Sequence, residues 1–254
     1  MTDEVLTSEE DGILIVTINR PDAKNAMTKA AAEAIAAAMD RLDNDDSLRV
    51  GILTGAGGTF CSGMDLKGFL RGESPSVEGR GFGGVVQQPP EKPLIAAVEG
   101  FALAGGLEVA LTCDLIVAAE GVKLGIPEVG VGLLAAGGAL LRLPSRVPYA
   151  VAMEMALTAD PITAEKGAEY GLVSRVTKKG GAVEGAMELA DRIARNAPLS
   201  VAASKQMIQA VQGRTEAEFW EHQRPVMAAV FSSEDAKEGP KAFAEKRPPS
   251  WSGR

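Results

Sequence analysis

Apolar positions in the first half of the chain fall in short unbroken runs, and those in the second half recur at helical spacing. Ile13 to Asn19, ILIVTIN, is rich in β-branched residues and predicts a buried strand ending at Arg20-Pro21, where proline cannot donate to a ladder. After the loop PDAKNAM, Thr28 caps a predicted helix whose stripe Ala30, Ile35, Met39 and Leu42 stops in the polar cluster Asp43 to Ser47. Val50 to Thr54, the run LIAAV ending at Val98, Leu115 to Ala118 and Lys123 to Ile126 read as further strands. Strands alternating with helices indicate the α/β class. From Leu140 the pattern turns helical: Tyr149 to Leu157 and Thr163 to Ala168, one strand at Leu172 to Val176, then Ala182 to Ala194, Val201 to Val211, Glu216 to Phe231 and Ser233 to Ala244. Phe219, Trp220, Met227, Val230 and Phe231 make the helix over 216–231 unusually apolar, with core packing as the first reading and a subunit interface as the second. Gly68 to Pro90 keeps no sustained period and is rich in Gly, Pro, Ser and Gln, the composition of a flexible connection or lid.

At 254 residues and 46% hydrophobic the chain can bury a large core. A net charge of −8 argues against nucleic acid or a membrane surface as partner, since both are anionic. Two cysteines, Cys61 and Cys113, supply neither a disulfide framework nor a four-ligand zinc site, and with His222 the sole histidine no metal site is expected. The N-terminal stretch is acidic, and no apolar run approaches the ~20 residues of a membrane span, so a cytoplasmic location is expected.

Chemistry concentrates in Val98 to Asp114, VEGFALAGGLEVALTCD. A strand leads into the turn Ala104-Gly105-Gly106, and a helix follows whose first-turn amides have no partner within it. Glu108, the only charge between Gly100 and Cys113, sits early in that helix, where desolvation would raise its pKa toward that of a working acid or base. The same glutamate could simply favour the helix start. Glu128, after Pro127, carries the same two readings. The glycine-rich GAGGTFCSGMDLKGF lacks the lysine and hydroxyl of a phosphate loop, yet can present free amides.

Taken together, INRPDAKNAM, FCSGMDLK, EGFALAGGLEVALTCD, GIPEVGVGLLAAGGALLRLP and FSSEDAKEGPKAFAEKRPPSW resemble, in order and spacing over nearly the whole chain, the crotonase (enoyl-CoA hydratase/isomerase) superfamily. The resemblance implies a spiral of ββα repeats over residues 1–195. It also implies a C-terminal helical region over 196–254 that builds trimers or hexamers and covers the active site. It implies an acyl-CoA substrate, no cofactor beyond the CoA of that substrate, and an oxyanion hole of the backbone N–H groups of Met64 and Gly105. Ala23, Lys24, Ser62, Met64, Asp65, Leu66, Lys67 and Gly105 are the implied substrate-binding residues, with Lys24 and Lys67 near the anionic 3′-phospho-ADP.

Family members differ in the acids around that hole, and hydratases resemble one another in having two glutamates, matched here by Glu108 and Glu128. The resemblance gives Glu108 the water and Glu128 the proton for Cα of a trans-2-enoyl-CoA. One departure is Ala135, where many hydratases have proline in a loop lining the acyl pocket; it leaves a carnitinyl-CoA dehydratase-like hydro-lyase or an isomerase as alternatives. A Clp-type hydrolase with Ser62 as nucleophile lacks a suitably placed histidine, and a non-catalytic acyl-CoA binder has no need of both glutamates.

Overall fold

Residues 3–254 are described by a computed structural model. Its main sheet has the strand order β1 (Val5–Glu10), β2 (Ile13–Ile18), β3 (Val50–Gly55), β6 (Leu94–Val98), β8 (Leu115–Ala119) and β11 (Arg175–Thr177). Only β1 and β2 pair antiparallel, with Glu10 opposite Ile13; the rest run parallel. Parallel strands need covered faces. Alternate residues accordingly enter two cores: Leu14, Leu53, Ala96 and Ile116 join one, and Ile13, Ile52, Ile95 and Val117 the other. The second core is closed by α7 (Ala182–Ala194), whose small face of Ala182, Gly185, Ala186 and Ala190 lets the helix lie close on the sheet. A Cβ on Gly185 would come 2.7 Å from Thr177 Cγ2.

A second sheet has the order β10 (Ile162–Thr163), β9 (Lys123–Gly125), β7 (Phe101–Leu103). Thus β6 and β8 of the main sheet are each followed by a strand of the small one, and α3 (Gly105–Thr112) follows β7 directly. This ββα repetition matches the expected α/β spiral. The first core lies between the main sheet, α1 (Lys29–Asn44), α3 and α4 (Ala139–Arg146).

Several expectations need correction. Strand β1 was not foreseen because five of its six residues are exposed, so no apolar run marks this edge. The buried side of α1 is Ala31, Ala32, Ile35, Met39 and Leu42, whereas Ala30 is exposed, one position off the stripe. Leu172 and Val173 enter the core from a turn bonded to the Gly167 carbonyl, so the ladder begins only at Arg175. The segment from Gly68 to Pro90 is not featureless: it holds the end of α2 (Leu66–Leu70) and a hairpin of β4 (Ser76–Val77) and β5 (Gly81–Phe82), with Val85 and Val86 buried in the core.

Beyond α5 (Tyr149–Thr158), α6 (Ala164–Glu169) and α7 come α8 (Pro198–Ala210), α9 (Glu216–Phe231) and α10 (Glu234–Ala244). Lys205 of α8 reaches Asp114 at 2.8 Å and donates to the carbonyls of Pro90 and Lys92, fixing α8 to the sheet end. No residue of α9 is buried, and Phe231 is 77% exposed, so the core-packing reading of this helix fails in the single chain. Among the described residues no helix is long and apolar enough to cross a membrane, and no cluster of three or more His, Cys, Asp or Glu is placed to hold a metal ion.

Candidate active site

Two loops that read as separate motifs are one unit. Asn25, fully buried, donates to the Ala56 and Thr59 carbonyls at 2.9 and 2.7 Å and accepts from Arg20 N at 2.9 Å, which pins the first loop to the end of β3. The second loop then joins it: Ser62 N donates to Lys24 O, Met27 N to Gly63 O and Asp65 N to Met27 O. The Arg20 guanidinium also pairs with Asp65 at 3.0 Å. Asp65 caps α2 through Lys67 N and Gly68 N, so its carboxylate is occupied by structural bonds. That ion pair and those amides hold the Asp65 carboxyl below its usual range, with the Gly68 amide the largest influence. Among the described residues, Met64 N–H is left without a protein acceptor.

The second free amide comes from the β7–α3 junction. Ala104 has φ 52° and ψ −131°, a conformation costing on the order of 1–3 kcal/mol for a residue with a side chain. It turns the chain so sharply that Gly105 is already the first residue of α3, two residues earlier than the sequence suggests, and a first-turn N–H has no partner inside its helix. The glycines here admit protein rather than ligand: a Cβ on Gly105 would stand 2.5 Å from Phe82 Cε1, and one on Gly106 would overlap the Cys61 carbonyl oxygen. A Cβ on Gly63 would come 3.2 Å from Gly105 N. The loop ending at Met64 therefore lies close against the start of α3, and Met64 and Gly105 line one cavity.

That cavity, about 630 Å³, is lined by Ser62, Met64, Gly105, Glu108, Glu128 and Phe82 among others. Leu66, Val86, Val131, Leu133 and Leu134 give it an apolar wall. Both acids are nearly inaccessible, Glu108 at 3% and Glu128 at 8%. Burial raises the pKa of each, but their surroundings differ. For Glu108 the rise is opposed by the N–H groups of Ala139, 3.1 Å from Oε1, and Gly137, and by the Arg142 guanidinium. Glu128 has only its own backbone N–H in opposition, feels the repulsion of Glu108, and keeps Oε2 buried without a protein partner. The two carboxyls thus sit in unlike surroundings: Glu108 faces two amides and a guanidinium, and Glu128 faces the charge of Glu108.

Of the residues expected from the sequence, Ser62, Met64, Leu66, Gly105, Glu108 and Glu128 line the cavity, whereas Ala23, Lys24, Asp65 and Lys67 do not. Lys24 and Lys67 are exposed, and the Ser62–Lys24 bond ties the backbone of the first to a residue of the cavity lining. Ala135 is buried in the core; it is Leu133, Leu134, Ala136 and Gly137 of its loop that face the cavity. His222 is not part of the lining, so Ser62 has no base there. Sequence reasoning missed Arg142, Phe82 and the amides of Gly137 and Ala139. The repeated glycines of AAGGALLR were the available signal for a close approach to the last two.

Residues 8–254 match the family model described as enoyl-CoA hydratase/isomerase. The chain is 41% identical to enoyl-CoA hydratase EchA19 of Mycobacterium tuberculosis, over 99% of this chain and 97% of that protein. It is 37% identical to carnitinyl-CoA dehydratase of Proteus mirabilis over the full length of both. Among solved structures, that of enoyl-CoA hydratase EchA1 from Mycobacterium marinum is similar at 55% identity and a TM-score of 0.98, covering all of both chains.

Proposed function

The chain belongs to the enoyl-CoA hydratase/isomerase family, and from that premise we propose that it is a hydro-lyase adding water reversibly across the 2,3 double bond of a trans-2-enoyl-CoA. The observation that carries this reading is the pair of buried, dissimilar glutamates beside two free amides in one cavity. Ionised Glu108 takes a proton from water as the oxygen bonds to Cβ. The π electrons move through Cα onto the thioester oxygen, where the N–H groups of Met64 and Gly105 receive the charge. Protonated Glu128 delivers its proton to Cα as the enolate collapses, giving the 3-hydroxyacyl-CoA. Every step runs on the chain's own groups, with CoA present only as part of the substrate.

This division of labour has a pH signature. The kcat/KM of hydration should be bell-shaped, rising as Glu108 ionises and falling as Glu128 loses its proton, with both limbs displaced upward from the ordinary glutamate range by burial. A profile with no descending limb would remove Glu128 as the acid.

The exposed Lys24 and Lys67 suit the anionic nucleotide of CoA. Replacing both by alanine should raise KM several-fold at low salt and leave kcat unchanged; a fall in kcat alone would contradict that role. A homotrimer or hexamer built on residues 196–254 is supported by the exposed apolar side chains Ile208, Trp220, Met227, Phe231 and Phe243 on α8, α9 and α10. Light scattering that finds a monomer at micromolar concentration would sink it. A cytoplasmic location suits Cys61 and Cys113, free, buried and with thiols pushed up to about 12 by desolvation.

The carnitinyl-CoA dehydratase relative raises a second reading, dehydration of a hydroxyacyl-CoA carrying a quaternary ammonium. One observation favours it: Glu78 also borders the cavity, near Phe82, and could face a cation. The otherwise apolar wall favours an uncharged acyl chain.

A further inference from the structure

Arg142 is a half-buried arginine on α4 with no carboxylate within ion-pair distance among the described residues. Its one side-chain hydrogen bond runs from Nη2 to the Val86 carbonyl at 2.6 Å. The nearby Arg146 is different: both of its terminal nitrogens donate to the Cys113 carbonyl at 3.2 Å, which accounts for its place in the fold. What Arg142 faces is read from two consecutive glycines. A Cβ on Gly137 would come 2.8 Å from Glu108 Cδ, and a Cβ on Gly138 would overlap Arg142 Nη1. Carboxylate and guanidinium thus flank one peptide unit. Val86 closes the same cavity wall as Phe82, the residue packed on Gly105.

We infer that Arg142 is a positioning residue for the reaction: its charge keeps Glu108 in the proton-accepting form, while its bond to Val86 holds the segment that backs the Gly105 amide. The inference rests on Glu108 being the base. Position is the physical point. A guanidinium in direct contact with Glu108 would neutralise it as a base, whereas one beyond ion-pair distance offsets desolvation and leaves the oxygens free for water. The other groups facing Glu108 are the Gly137 and Ala139 amides, which also favour its anion, and Glu128, whose own carboxyl is pushed further up by the Glu108 charge.

The test is the pH profile of kcat/KM for Arg142→Gln and Arg142→Lys, with thermal melts to establish folding. Glutamine carries no charge, so its ascending limb should move to higher pH and its kcat/KM should fall by a larger factor well below the limb than at the plateau. Lysine should keep the limb near its original place. A folded Arg142→Gln with an unmoved limb, or a lysine variant displaced as far as glutamine, overturns the inference. If the unaltered enzyme does not hydrate enoyl-CoA at all, the preceding reading has failed instead. NMR titration of the Glu108 carboxyl carbon, identified by its loss in Glu108→Gln, then tests the guanidinium without turnover. An upward shift in Arg142→Gln is expected, and an unchanged titration overturns the inference.

Discussion

Glu128→Gln should lower kcat for hydration by at least about a hundredfold while leaving affinity for the CoA ester and thermal stability nearly unchanged, because general acid–base catalysis typically contributes ~10² to 10⁴. Glutamine is nearly isosteric, and Oε2 of Glu128 makes no protein bond whose loss could disturb the fold. Glu108→Gln should cost kcat a similar factor but also lower the melting temperature. The Ala139 amide donates to this carboxylate and the Gly137 amide favours its charge, so a neutral amide in its place weakens those interactions, a penalty of about 1–3 kcal/mol. The two catalytic losses should not multiply. In the proposed mechanism both carboxyls act on one water and one transition state, so the double variant should fall only slightly below the worse single one. Turnover that survives Glu108→Gln but not Glu128→Gln would mean that one acid suffices, the behaviour of an isomerase.

Gly106→Ala is expected to be the most damaging small change on the oxyanion side. Its new methyl group meets a backbone carbonyl, that of Cys61, which cannot swing aside. Relief must come from parting α3 and the loop that carries Met64, and this pulls the two amides out of register. Loss of one oxyanion donor costs roughly 10² to 10³ in kcat, and overpacking adds about 1–3 kcal/mol of destabilisation. Gly105→Ala makes the informative contrast. Its methyl meets the far edge of the Phe82 ring, which is only partly buried and borders the cavity, so the ring can turn. That variant should raise KM more than it lowers kcat. Steady-state kinetics on both, with melts to establish folding, check the ranking; an intact kcat in folded Gly106→Ala would show that the spacing of the two loops is not critical.

The parts of this molecule legible in its sequence are those where one physical demand dominates. Strands β2, β3, β6 and β8 are buried on both faces, so they read as continuous apolar runs, and Thr28 announces α1 by capping it at 3.1 Å. Glu108 and Glu128 stand out as lone charges in apolar or turn-forming surroundings. What the sequence hid depends on the tertiary path. Strand β1 is nearly all exposed and owes its place to pairing with β2. The bond between Lys24 and Ser62 joins residues whose separation gives no local signal. Gly105 and Gly106 mark a turn but carry no local sign that their missing side chains admit Phe82 and the Cys61 carbonyl. Arg142 looked like any charged helix residue until the chain laid its guanidinium beside the Gly137–Gly138 turn. The apolar stretch over 216–231 satisfies the pattern of a core helix but lies on the surface of the single chain, because amphipathicity reports a face to be covered and not what covers it.

The most direct measurement is the fate of trans-2-enoyl-CoA substrates over a range of chain lengths, crotonyl-CoA included, mixed with the pure protein in the presence of a chelator. Ultraviolet absorbance of the conjugated thioester should fall to an equilibrium level as 3-hydroxyacyl-CoA accumulates, and Glu128→Gln should slow that fall by the factor expected above. Double-bond migration without incorporation of water, across the whole range, would contradict the account.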